Sequence, residues 1–254
     1  MSKILYFLLL IPTLVFSHPT VLVYDVTNSH VIAGELEHNP ASIASLTKLM
    51  TVYTVLKFEQ NLDEKLKVVN KRTTNTKLKP NILVTRRELI YLSLVSSDNL
   101  AAYTLASNFP GGMTHFVRTM NYNAMDLEMF NTRFHEPTGL SPMNYSNLND
   151  LLILTKEVNK FQIFNDAAKT NKTHTTEITT VKNKKSKQET IKSNTTIKYF
   201  GRDDILIVKT GFTNAAGFCV TILVEANKKL YNIIVLGAKS KQERQRLVEY
   251  SLEK

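Results

Sequence analysis

The chain predicts an α/β fold of the α+β type: one sheet assembled from both ends of the chain, with a helical lobe inserted between them. Three observations carry this. β-Type runs open and close the chain. Apolar residues at three- and four-residue steps fill its middle. No internal repeat and no long Pro/Gly/Ser linker divides it.

The elements follow in order. Thr20 to Val26 and Val31 to Leu36 are β-type runs, and Thr27-Asn28-Ser29-His30 between them has turn chemistry, so they predict a hairpin. Pro40 breaks the chain. Ala44 to Phe58 reads as a helix, because Leu46, Leu49, Met50 and Tyr53 fall on one face. Leu62 to Val84 is mixed and basic and predicts irregular structure with short elements. Arg86 to Ser93, Leu100 to Ala106, His115 to Met129 and Asn149 to Val158 read as helices, with Pro110-Gly111-Gly112 and Pro137-Thr138-Gly139 marking turns. Thr173 to Ile197 alternates β-branched residues around Lys182 to Lys187, a hairpin with a basic tip. Ile205 to Lys209, Phe218 to Glu225 and Leu230 to Gly237 predict three further strands. Gln242 to Leu252 predicts an amphipathic terminal helix.

Lys3 followed by the apolar run Ile4 to Phe16, with small Val15 and Ser17 before His18, reads as a secretory signal peptide over residues 1–17. Its apolar run is short for a membrane span. About 237 residues remain, enough for one large domain, 18–254, with the helical lobe over roughly 60–165. The single cysteine, Cys219, sits in an apolar run and reads as a small core residue. The six histidines lack ligand spacing, so neither a metal site nor a cofactor is expected. The net charge is +10, which suits anionic polymers of a cell envelope. No nucleic-acid motif accompanies it, and an exported chain would not meet nucleic acid. The expected location is therefore the periplasm, cell envelope or medium, with no stable membrane anchor once the signal is removed.

Three short polar motifs carry the chemistry. Ser45-Leu46-Thr47-Lys48 places a hydroxyl and an amine three residues apart, on one face of a predicted helix. A serine needs a base, and a lysine can serve if burial and a second cation lower its pKa. Lys209 could be that cation. Ser97-Asp98-Asn99 can supply a proton relay (Ser97) and an amide (Asn99) to hold Lys48 and substrate; as an isolated motif it would be only a helix N-cap. Lys209-Thr210-Gly211 ends a predicted strand. Its cation and hydroxyl suit a substrate carboxylate, and its glycine lets a substrate backbone approach. The N–H groups of Ser45 and Phe212 could form an oxyanion hole. Each motif is weak alone. Their joint occurrence in this order, in an exported chain, points to one shared site.

With these motifs the chain resembles the serine DD-peptidases, the low-molecular-mass penicillin-binding proteins. The motif set is one already associated with penicillin-binding proteins and class A β-lactamases. Ile43 to Thr51, Ser96 to Ala102, Glu136 to Ser141 and Lys209 to Gly217 all look like family segments, the last most like the endopeptidase subgroup. Glu128 stands where the family usually has glycine. The resemblance implies a five-stranded antiparallel sheet flanked by helices, beside a helical subdomain, with the site between them. It implies catalytic Ser45, Lys48 and Ser97, substrate-binding Asn99, Lys209, Thr210 and Gly211, and an oxyanion hole at Ser45 and Phe212. The implied substrates are peptidoglycan stem peptides, with β-lactams as covalent inhibitors of Ser45. Two alternatives stay open: a serine β-lactamase of the same fold, using Glu136 to activate the deacylating water, and an inactive wall- or β-lactam-binding module. Endopeptidase and carboxypeptidase activity are not distinguished by these residues.

Overall fold

Alternation in the strand segments is resolved by a sheet with two covered faces. A computed structural model describes residues 19–36, 38–170, 173–182, 185–194 and 202–252. The signal-peptide reading of residues 1–17 lies outside the described residues, as does part of the basic tip at 183–184. In chain order the elements are β1 (Thr20–Asp25), β2 (His30–Gly34), β3 (Ala41–Ser42), α1 (Thr47–Lys57), β4 (Lys65–Lys67), β5 (Leu83–Thr85), α2 (Arg86–Val95), α3 (Asn99–Ser107), α4 (Gly112–Asp126), β6 (Tyr145–Ser146), α5 (Leu148–Val158), α6 (Gln162–Ala168), β7 (Thr173–Lys182), β8 (Lys185–Asn194), β9 (Ile205–Thr213), β10 (Gly217–Ala226), β11 (Lys229–Ala238) and α7 (Lys241–Leu252).

The main sheet has five strands in the order β2-β1-β11-β10-β9, every neighbouring pair antiparallel. Both ends of the chain build it, so β1 pairs with β11 across the whole sequence. Leu22, Ile207, Cys219, Leu223, Ile234 and Leu236 face the helices, while Val23, Val208, Val220, Ile222, Ile233 and Val235 face α7 around Val248. Each such aliphatic side chain contributes about 1.5–3 kcal/mol when fully buried. Among the described residues β9 is an edge, paired only with β10.

Helix α1 is the hub. Its residues Thr47 to Val55 are all buried, and it packs on α2, α3, α4 and α5. A helix apolar on one stripe only would not tolerate this; here Thr47, Thr51 and Thr54 fill the remaining face with short side chains. Capping residues start the neighbouring helices. Thr85 accepts from Glu88 N, Asp98 from Ala101 N and Asn147 from Asp150 N, at 3.2, 2.9 and 2.8 Å.

Two features differ from the expectation. The hairpin at 173–194 does not join the main sheet; it joins β4 and β5 in a second sheet ordered β4-β5-β7-β8. Its start is tied to α2, where His174 Nε2 lies 2.8 Å from Glu88 Oε2 and its ring stacks on Tyr91. The short helix α6 was not expected, because seven residues hold barely two turns of periodicity. Glu128, in the glycine position of the family pattern, has φ +60 just past the end of α4, the left-handed conformation that explains the usual glycine.

Candidate active site

The strained turn before α1 sets the geometry. Ala44 has φ +46 and opens a tight 3-10 turn, Ala44 to Leu46, that feeds α1 and leaves Ser45 at its mouth. One helical turn on, Lys48 Nζ lies 2.9 Å from Ser45 Oγ, 2.8 Å from Asn99 Oδ1 and 2.8 Å from the Thr138 carbonyl. Lys48 is fully buried.

The Ser97-Asp98-Asn99 segment is both a helix cap and part of the site. Asp98 caps α3, and Asn99, its first residue, faces Lys48. Ser97 has φ +57, a left-handed conformation just before α3, and its hydroxyl meets Lys209 of β9. There Lys209 Nζ donates to Ser97 Oγ at 3.0 Å and to the Thr210 carbonyl at 2.9 Å. A loop at 73–78 clasps this turn. Asn99 N donates to the Asn75 carbonyl (3.1 Å), Asn99 Nδ2 to the Thr74 carbonyl (2.9 Å) and Asn75 Nδ2 to the Ser97 carbonyl (2.8 Å).

Edge strand β9 closes the third side. A Cβ on Gly211 would sit 2.8 Å from Ser45 N and 2.9 Å from Ala44 Cβ, so only glycine lets the strand lie against the nucleophile's turn. Phe212, half exposed, stacks on Phe218 with ring centroids 4.2 Å apart. The cleft between these elements encloses about 310 Å³ and is lined by Ser45, Ser97, Asn99, Thr210, Gly211 and Phe212. Lys48 and Lys209 lie beneath its floor. The structure thus brings together every residue the sequence nominated.

It also adds residues that the sequence did not nominate. Arg244 of α7 reaches the same cleft, nine-tenths buried, with its guanidinium 3.4 Å from the Cys219 carbonyl. No motif marks it. It reads as one of several polar residues on an amphipathic helix, and only the docking of α7 on β10 and β11 aims it inward. Thr74 and Asn75 line the opposite lip.

Charge in the site is governed by burial. Burial brings Lys48 down to about 7, against the pull of the Glu136 and Asp98 carboxylates, which favour its proton. Lys209 lies well below the ordinary lysine range, first through burial and then through repulsion by Lys48 and Arg244. The second-cation effect expected on Lys48 falls instead on Lys209, and Lys48 is lowered by burial alone, against the two carboxylates. Burial raises Asp98 and pushes the Cys219 thiol up to about 11, leaving it an unreactive core group.

Glu136 is wholly engaged in its own loop. Its Oε2 accepts from Thr138 N and Oγ1 at 2.8 and 2.6 Å, and its Oε1 from Gly139 N and Asn144 Nδ2 at 2.6 and 3.0 Å. The loop it folds presents the Thr138 carbonyl to Lys48 and presses on the nucleophile's turn. Gly139 has φ +86, and a Cβ there would fall 1.9 Å from the Ala44 carbonyl oxygen. Gly139→Ala is therefore expected to cost about 3 kcal/mol or more, combining a left-handed backbone penalty with a backbone clash. Thermal unfolding would read this as a fall in Tm of roughly 6–12 °C; an unchanged Tm would refute the contact.

Among the described residues no three His, Cys, Asp or Glu side chains cluster as metal ligands, and no helix is long and apolar enough to cross a membrane. Residues 15–240 match a family described as D-alanyl-D-alanine carboxypeptidase. The chain is 35% identical over 224 residues to the D-alanyl-D-alanine endopeptidase of Escherichia coli K12, covering 85% of this chain and 70% of that protein. In fold it is similar to the Streptomyces K15 DD-transpeptidase, with TM-score 0.81 and 23% identity over 92% of this chain and 97% of that one. It is similar also to penicillin-binding protein D2 of Listeria monocytogenes in its ampicillin-bound form, with TM-score 0.78 and 28% identity over 92% and 95% of the two chains.

Proposed function

The chain belongs to the D-alanyl-D-alanine carboxypeptidase family and is a serine DD-peptidase, and from that premise we propose that it cleaves D-alanyl cross-links of peptidoglycan, as a D,D-endopeptidase, outside the cytoplasm. The observation that carries the chemistry is the fully buried Lys48 Nζ held 2.9 Å from Ser45 Oγ, where burial brings its pKa down to about 7. An amine neutral near pH 7 is a competent base at that distance.

The steps follow from the geometry. An anionic substrate enters with a carboxylate against Lys209, Thr210 and Arg244. That negative charge favours the ammonium form of Lys209. Lys48 then takes the Ser45 proton as Oγ bonds to the D-alanyl carbonyl carbon. The oxyanion is held by the N–H groups of Ser45 and Phe212, an arrangement worth about two to three orders of magnitude in rate. The C–N bond breaks as the departing amine takes the Ser97 proton, which Lys48 replenishes. Water hydrolyses the ester, releasing a carboxylic acid and the free serine. Asn99 holds Lys48 in place and offers its amide group to the substrate backbone. A β-lactam follows the same path to an ester on Ser45, but its leaving amine stays tethered, so the adduct clears slowly.

Glu136 argues against the β-lactamase alternative. An acid that activates deacylating water needs a free oxygen, and both of its oxygens are taken by loop donors. The complete Ser45, Lys48, Ser97 and Lys209 set argues against an inactive binding module. The endopeptidase preference is supported by the similarity to the Escherichia coli protein of that name. Digesting purified cross-linked sacculi and separating the muropeptides tests it. The expected result is conversion of dimers to monomers. Intact dimers with pentapeptide trimmed to tetrapeptide would make the protein a carboxypeptidase.

A further inference from the structure

A second concavity, of about 980 Å³, opens between the 73–82 loop and the β7-β8 hairpin. Its apolar surface is formed by Ile82, Ile178 and Ile191, and its rim carries Lys77, Lys79 and Lys187. Lys187 is already paired with Glu189 at 2.7 Å. Lys77 and Lys79 are exposed and have no carboxylate partner among the described residues.

One loop lines both this groove and the active-site cleft. Asn75 lines the cleft, and Lys77, two residues on, lines the groove. The backbone between them is fixed: Lys77 N donates to Asp98 Oδ2 at 2.9 Å, and Asn75 Nδ2 donates to the Ser97 carbonyl at 2.8 Å. The groove therefore adjoins the Ser97 side of the cleft, the side from which the leaving amine takes its proton.

We propose that this groove binds the amine-donating stem peptide of a cross-link, the strand that departs in the first half-reaction. The inference rests on the endopeptidase reading and gives it a structural cause. A carboxypeptidase releases one alanine and has no use for a long channel beyond Ser97. An endopeptidase releases a whole peptide bearing alanine methyl groups and several carboxylates. An isoleucine floor with two unpartnered lysines complements that pattern.

The test compares wild type with Lys77→Ala/Lys79→Ala on three probes: a cross-linked tetrapeptide dimer, a monomeric pentapeptide and a fluorescent penicillin. Only the dimer carries a second stem. Its KM should rise roughly tenfold, the size that two exposed ion pairs supply, with kcat little changed. Added salt should weaken dimer cleavage by wild type in the same way. Lys77→Arg/Lys79→Arg should restore the dimer KM. The Ala variant should keep the wild-type rate of penicillin acylation, which also shows that it is folded. Equal losses on all three probes, or no loss on the dimer, would overturn the groove. A wild type that penicillin does not label would instead overturn the peptidase chemistry itself.

Discussion

Ser45→Ala eliminates both the penicillin adduct and peptide hydrolysis, with a loss of at least about 10⁴-fold expected for removing a nucleophile from a concerted site. The geometry leaves no substitute. Ser97, the other serine lining the cleft, lies against Lys209 at 3.0 Å, whereas Lys48 is bonded to Ser45. Intact-mass measurement after incubation with benzylpenicillin reads the result directly. An adduct on the Ala variant, mapped to any other side chain, would remove Ser45 from its assigned role.

The second large effect concerns Lys48. Lys48→Arg keeps a cation but removes the base, because a guanidinium does not deprotonate in a protein. Acylation should fall by about 10²- to 10⁴-fold, the usual contribution of a general base. The pH profile separates this from mere misfitting. The protonated amine cannot accept the serine proton, so the wild-type acylation rate should climb as pH rises toward about 7 and level off above it. The Arg variant should lack that limb. A wild-type rate that is flat from pH 5 to 9 would exclude Lys48 as the titrating base.

The sequence was most informative where chemistry depends on neighbours in the chain. Ser45 and Lys48 are one helical turn apart, so their contact at 2.9 Å was readable from spacing alone. Lys209-Thr210-Gly211 was expected to end a strand, but β9 runs on to Thr213 and holds the motif within its pairing to β10. That Ser97 would meet Lys209 was an inference from motif order, because the two are brought together by packing across 112 positions. What stayed hidden were contacts made by ordinary polar residues. Asn75 is one Asn in a polar stretch until its side chain and backbone clasp the Ser97 turn. Arg244 depends on the angle at which α7 meets the sheet. The hairpin was visible as two alternating runs, but its partner strands are only three residues each, too short to announce a sheet. Glu128 was legible in an unexpected way. Its departure from a glycine pattern marked a left-handed residue at φ +60.

The five hydrogen bonds that tie down the Glu136 carboxylate also bear on what exposure to an antibiotic does to this protein. On the proposed mechanism each drug molecule that reacts retires one enzyme molecule for as long as the ester lasts, which makes the protein a stoichiometric casualty and not a detoxifier. No single exchange of side chain would reverse that. Freeing the acid for water means dismantling the loop that also steadies Lys48, so an escape route from inhibition runs through poorer drug recognition sooner than through faster drug destruction.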